Sequence, residues 1–204
     1  MFKLVCITNR KLCETSFIET IKNILSKDNL LDANNLTTEI VTDSNLPKPD
    51  MIILREKDLS EEEYFEVAKE IKPMCEDAGV ELVIHTHVNV AKKLGIKSIH
   101  LPFDKLIMLT EEDKVYFENI GTSVHSLDDL KKAISIGATY VLAGHIYDTD
   151  CKKGLPGRGI EFLQQICNNA SVPVIAIGGI NLNRLKEVEV AGASGAAIMS
   201  GYMK

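Results

Sequence analysis

The chain has 204 residues, of which 45% are hydrophobic and 25% charged, and its formal net charge is −6 at pH 7. That length suits one substantial core rather than two domains, and the acidic balance argues against a general nucleic-acid surface, because phosphate backbones reward a basic face. No apolar run approaches a membrane span, and the start, MFKLVCITNRK, lacks the long apolar core and cleavage site of a signal peptide, so a cytoplasmic protein without a membrane partner is expected.

Taken in chain order, short apolar runs alternate with helical patterns. KLVCIT (3–8) reads as a strand, and SFIETIKNILS then puts Phe17, Ile21, Ile24 and Leu25 on one helical face. Residues 27–49 are polar and longer than an ordinary connection, so they read as an irregular insertion, with an extra short strand expected around TTEIVT. MIIL (51–54) is followed by EEEYFEVAKEIKPMCEDAG, whose Tyr64, Val67, Ala68 and Ile71 share a face. ELVIH (81–85), SIHL (98–101) and NIGTS (119–123) come next. SLDDLKKAISIGA has Ser126 in place to cap its start and Gly137 its end. YVLAG (140–144), PVIAIGG (173–179) and GAAIMS (195–200) complete the set.

Most of these runs are apolar on both faces, as strands covered on two sides must be. Eight of them in strict βα order predict a single (β/α)8 TIM barrel over 1–204, although a doubly wound sheet shows the same alternation. The chain stops at GYMK, so the last helix is expected to be missing or truncated and a homodimer to cover the exposed wall. The five cysteines (Cys6, Cys13, Cys75, Cys151 and Cys167) are odd in number and irregularly spaced, which indicates free thiols. Cys151, beside Lys152 and Lys153, is the one whose surroundings favour a thiolate.

A barrel places chemistry at the carboxyl ends of its strands. Four of the five histidines fall there, and the fifth, His145, starts the next loop. LREK sets Arg55 and Lys57 two residues apart beyond the second strand, so both can point the same way. HTH should likewise put His85 and His87 on one side, as polar pocket lining rather than a metal site. Gly178 and Gly179 after the seventh strand, with Ser200 and Gly201 after the eighth, stand where barrels bind phosphate through backbone N–H groups. SVHS holds His125 at the end of the fifth strand, and an imidazole can both give and take protons near neutral pH. GHIYDTDCKKGLPGRG (144–159) is a glycine-rich, basic loop that is either plain surface or a cover over an anion.

SVHSLDDLKKAISIGATYVLAGHIYDTDCKKGLPGRGIEFL, followed by VPVIAIGGINLNRLKEVEVAGASGAAIMSG, resembles the thiamine-phosphate synthase and TenI superfamily, and LVCITNR, LREKDLSEEEY and IHLP match its earlier motifs. The resemblance spans nearly the whole chain apart from 27–49 and the final helix. It implies a barrel acting on thiazole phosphates in thiamine biosynthesis. The synthase branch carries QxRxK after strand two, an Asn-Asp pair after strand three, a further aspartate after HLGQ, and uses magnesium. Here those positions read Ile53, His85 with Thr86, and HLPF with Asp104 nearby.

GHxxxTDCKKGxPxRG is similar to the TenI branch and implies a thiazole tautomerase, with His125 as the proton-transferring residue and neither metal nor cofactor required. Arg55, Lys57, Ser123, Gly144, Thr149 and Lys152 would then hold the substrate, with Asp148 and Asp150 fixing the loop, and Gly178, Gly179, Ser200 and Gly201 its phosphate. A magnesium-dependent synthase and a non-catalytic phosphate-binding regulator are the other readings.

Overall fold

The computed structural model describes residues 1–28, 46–149, 152 and 154–204. The strands are β1 (Lys3–Ile7), β2 (Met51–Leu54), β3 (Glu81–His85), β4 (Ser98–Leu101), β5 (Asn119–Val124), β6 (Tyr140–Gly144), β7 (Val174–Ile177) and β8 (Gly195–Ile198). The helices are α1 (Phe17–Leu25), α2 (Glu61–Asp77), α3 (Val88–Lys93), α4 (Phe103–Ile107), α5 (Glu111–Tyr116), α6 (Leu127–Ile136), α7 (Gly159–Asn169), α8 (Leu185–Val190) and α9 (Ser200–Met203). Every strand is parallel to the next, and β1 pairs with β8, so the sheet closes into the expected (β/α)8 barrel. The short strand expected around TTEIVT lies outside the described residues.

The two-residue period of a strand explains why these runs are apolar throughout. Val5, Ile53, Val83, Leu142, Ile175 and Ala197 point inward and fill the barrel. Their neighbours Leu4, Ile52, Ile84, Val141, Ala176 and Ile198 point outward beneath the helices. Burying such residues is the main drive for closure, at about 1.5–3 kcal/mol for each large apolar side chain.

Local signals set the helix ends. Ser60 and Glu63 form a reciprocal capping box at the start of α2. Ser126 accepts the Asp129 N–H at the start of α6, and Gly137 closes that helix in the left-handed conformation. The last helix, α9, is a single turn whose Tyr202 and Met203 are buried, with the Tyr202 hydroxyl donating to the Pro47 carbonyl at 2.9 Å. Cys6, Cys13, Cys75 and Cys167 are free thiols, and Cys151 is outside the described residues. Burial pushes Cys75 up to about 12 and Cys167 up to about 11, so neither is a ready nucleophile. Among the described residues no helix is long and apolar enough to cross a membrane.

Candidate active site

Continuing the inward alternation past the strand ends brings the polar residues to one mouth. Ile53 is followed inward by Arg55 and Lys57, Val83 by His85, Gly121 by Ser123 and His125, and Leu142 by Gly144. His100 enters from β4 by the same rule, since Ile99 and Leu101 face the outer layer. Together they line a cavity of about 910 Å³ floored by Ile7, Ile53, Leu142, Ile177 and Ala197.

The β2 side is held from behind. The Thr8 hydroxyl accepts the Arg55 N–H at 2.8 Å and donates to Glu56 Oε1 at 2.7 Å. Glu56 is buried and paired with Arg10 at 3.2 Å. Arg10 also meets Asp58, so its charge is spent on structure. The Tyr64 hydroxyl of α2 donates to the Leu54 carbonyl at 2.5 Å and accepts the His85 N–H at 3.0 Å, which ties the ends of β2 and β3 to one helix. Arg55 and Lys57 are held at the mouth by this framework. Among the described residues neither of their charged groups has an ion-pair partner. The Arg55 charge, with burial second, pulls the Lys57 ammonium below its usual range.

His85 and His100 stack at 5.9 Å between ring centroids. His100 is 3% exposed and bridges the Tyr140 hydroxyl and Ser123 Oγ, each at 3.2 Å. Gly121 leaves the room this requires, because a Cβ there would lie 2.0 Å from the Tyr140 ring. Burial, then the Arg55 charge, lowers His100 to about 3. His85 falls to about 3 through burial first, then His100, Arg55 and Lys57. Both rings are therefore neutral hydrogen-bonding groups near neutral pH.

The expectation that His85 and His87 share a side is corrected. Thr86 takes a φ of 74°, which breaks the strand alternation. His87 turns away, lies tilted against the Tyr64 ring with centroids 4.3 Å apart and sits near Glu61. His125 sits at the rim, and its Nδ1 donates to the Gly144 carbonyl at 2.7 Å, since a carbonyl can only accept. That bond leaves Nε2 available to a ligand.

On the opposite side of the ring, the loop after β6 prolongs its pairing with β7. Ile146 and Tyr147 donate to the carbonyls of Ile177 and Gly178, and Asp148 Oδ1 accepts the Gly157 N–H at 2.7 Å, stapling the loop. A Cβ on Gly178 would lie 2.3 Å from His145 Cβ, and one on Gly179 would lie 2.5 Å from the Asp148 carbonyl; both residues have positive φ, 102° and 64°. These glycines are required by the close passage of the loop, a reason the sequence pattern alone did not supply. Gly178, Gly179, Thr149, Lys152 and Ser200 line the cavity, whereas Gly201 does not. Asp150 is outside the described residues.

Asn181 and Arg184 are among the lining residues missed from sequence. Asn181 follows Ile180, and its buried Oδ1 has no hydrogen-bond partner among the described residues. Arg184 ends the 3-10 turn Leu182–Arg184; its guanidinium lies 4.1 Å from the Tyr147 ring centroid and donates to the Gly179 carbonyl. The only available signal was one cation soon after the glycine pair.

Magnesium, implied by the synthase reading, does not fit the donors present. It demands hard oxygen ligands. Among the described residues no three His, Cys, Asp or Glu side chains converge as a metal site. His85 and Thr86 supply an imidazole and a hydroxyl, and Asp104 is exposed on α4, outside the cavity lining. Asp129 and Asp148 do line it, on the β5–β6 side, and each accepts a backbone N–H.

Comparison with known proteins supplies the remaining evidence. The family model described as thiamine monophosphate synthase matches residues 4–202. A thiamine-phosphate synthase of Clostridium tetani is 30% identical over 197 residues, covering 94% of this chain and 89% of the relative. One from Pyrococcus abyssi is 35% identical over 153 residues, covering 74% and 73%. The solved thiamine phosphate pyrophosphorylase from Pyrococcus furiosus superposes with a TM-score of 0.75 at 25% identity, over 98% of this chain and 86% of that one. These findings overturn the tautomerase expectation, because the relatives are named as synthases. The chain belongs to the thiamine monophosphate synthase family.

Proposed function

We propose that this chain is a transferase of the thiamine-phosphate synthase type, joining a pyrimidine carried on a diphosphate to a thiazole phosphate. The observation that carries the reading is the relationship to a named synthase over 94% of the chain. The cavity supports it with two separate cationic ends. Arg55 and Lys57 after β2 suit the diphosphate. Gly178, Gly179, Ser200 and Arg184 after β7 and β8 suit the thiazole phosphate, with Lys152 above them.

The reaction is a displacement at the carbon that bears the diphosphate. The thiazole forms the new bond, the carbon–oxygen bond breaks, and diphosphate leaves with the electron pair. Pinning both anions brings the reacting centres together over the apolar floor. The fixed cations of β2 meet the charge that grows on the leaving group. His125 Nε2, Ser123 and the neutral His85 offer hydrogen bonds to the heterocycles between the two ends, and His100 holds the Ser123 hydroxyl from behind.

The test is to incubate the protein with both substrates, with and without magnesium, and follow thiamine phosphate and diphosphate by chromatography. Equal release of the two products supports the reading. Failure to form thiamine phosphate under both conditions would refute it and leave a phosphate-binding regulator.

A further inference from the structure

We propose that this site holds the diphosphate of its substrate without a divalent cation, the paired charges of Arg55 and Lys57 taking the place of the metal. The proposal rests on the transferase reading and specifies how the leaving group is bound.

Arg55 and Lys57 face the same cavity from the end of β2, and among the described residues neither charged group is neutralised by an ion pair. Like charges held together are costly unless an anion joins them. The acids nearest in sequence are already committed. Glu56 is buried with Thr8 and Arg10, and Asp58 pairs with Arg10 and Lys11.

Among the described residues from β2 to the start of α4, the cavity is lined beside those cations by His85, His100, Pro102 and Phe103, none of them anionic. Burial first, then His100, Arg55 and Lys57, lowers the proton affinity of His85, in keeping with a positive field there. Among the described residues, the carboxylates lining the cavity are Asp129, in the first turn of α6 after β5, and Asp148, in the loop after β6. A divalent cation entering beside Arg55 would meet two positive charges and, among the described residues lining that side, no hard anionic donor. A diphosphate would meet the reverse. Magnesium in solution should therefore compete, by complexing the free ligand, rather than assist.

The experiment is calorimetric titration of the full chain with inorganic pyrophosphate, once in EDTA and once in excess magnesium. Binding is expected in EDTA, and it should be no tighter with magnesium. Arg55→Gln and Lys57→Gln, each checked for an unchanged thermal transition, should weaken binding in EDTA by about tenfold or more, the usual loss for a charge-assisted contact. His85→Asp, which puts a carboxylate into the same field, should also weaken it.

Binding that appears only with magnesium overturns the proposal while the transferase reading stands, as does product formation that strictly requires the metal. Binding in neither condition, or binding indifferent to Arg55→Gln and Lys57→Gln, also overturns it. Metal-free pyrophosphate binding in a protein that makes no thiamine phosphate keeps the charge argument and removes the transferase reading.

Discussion

Replacing His100 with asparagine should flatten the acid limb of the stability curve. The imidazole is 3% exposed, and burial with the Arg55 charge lowers it from 6.5 to about 3. In the unfolded chain the same ring titrates near its ordinary value. Stability tied to the neutral buried ring is therefore intact above 6.5 and is lost as the pH falls from 6.5 towards 3, where the unfolded state alone binds the proton. At about pH 5.5 the loss is roughly 1–2 kcal/mol for this one group. In a chain of this size that is a fall of roughly 2–8 °C in Tm.

The assay is thermal unfolding followed by circular dichroism near pH 7.5 and again near 5.5. The variant also loses its hydrogen bonds to Tyr140 and Ser123, so the change in Tm between the two pH values is compared, not Tm itself. Wild type should lose more than His100→Asn by roughly that amount. Equal losses would refute the claim that the ring is buried neutral beside Arg55.

Gly178→Ala should be among the most damaging small substitutions, by roughly 2–4 kcal/mol in denaturant unfolding, because the new Cβ would meet His145 at 2.3 Å from a backbone of positive φ. Arg10→Met leaves the buried Glu56 carboxylate without its guanidinium and should cost about 2–3 kcal/mol by the same measurement, whereas Lys11→Met, on the exposed side of Asp58, should cost less than about 1. Under the transferase reading, Arg184→Ala should raise KM for the thiazole phosphate roughly tenfold with a smaller change in kcat, since the guanidinium stands beside Gly179 and not beside Arg55. Unchanged KM in steady-state kinetics would take Arg184 out of the phosphate end.

The barrel was legible because strands covered on two faces must be apolar throughout, and MIIL, SIHL and GAAI have no other ready use in so ordered an alternation. The inward period of two also carried Arg55, His85, Ser123 and His125 to the mouth by arithmetic. That arithmetic failed at His87, where a single residue of positive φ, Thr86, reversed the direction and no residue type announced it. Arg184 was missed for a different reason. INLNRL has no periodicity, and the stacking on Tyr147 that holds the arginine joins segments far apart in the chain. Gly178 and Gly179 were noticed as possible anion contacts, but their tight packing on residues 145–148 needed the fold. The choice between the two readings could not be made from His125 or the loop motif; it came from the relatives over the whole chain.

The most direct test of the account is a crystal structure grown with thiamine phosphate and pyrophosphate in the absence of divalent cations. It should show pyrophosphate between Arg55 and Lys57 and the phosphate of thiamine phosphate against Gly178, Gly179 and Ser200. Pyrophosphate bound elsewhere, or thiamine phosphate excluded from the cavity, would contradict it.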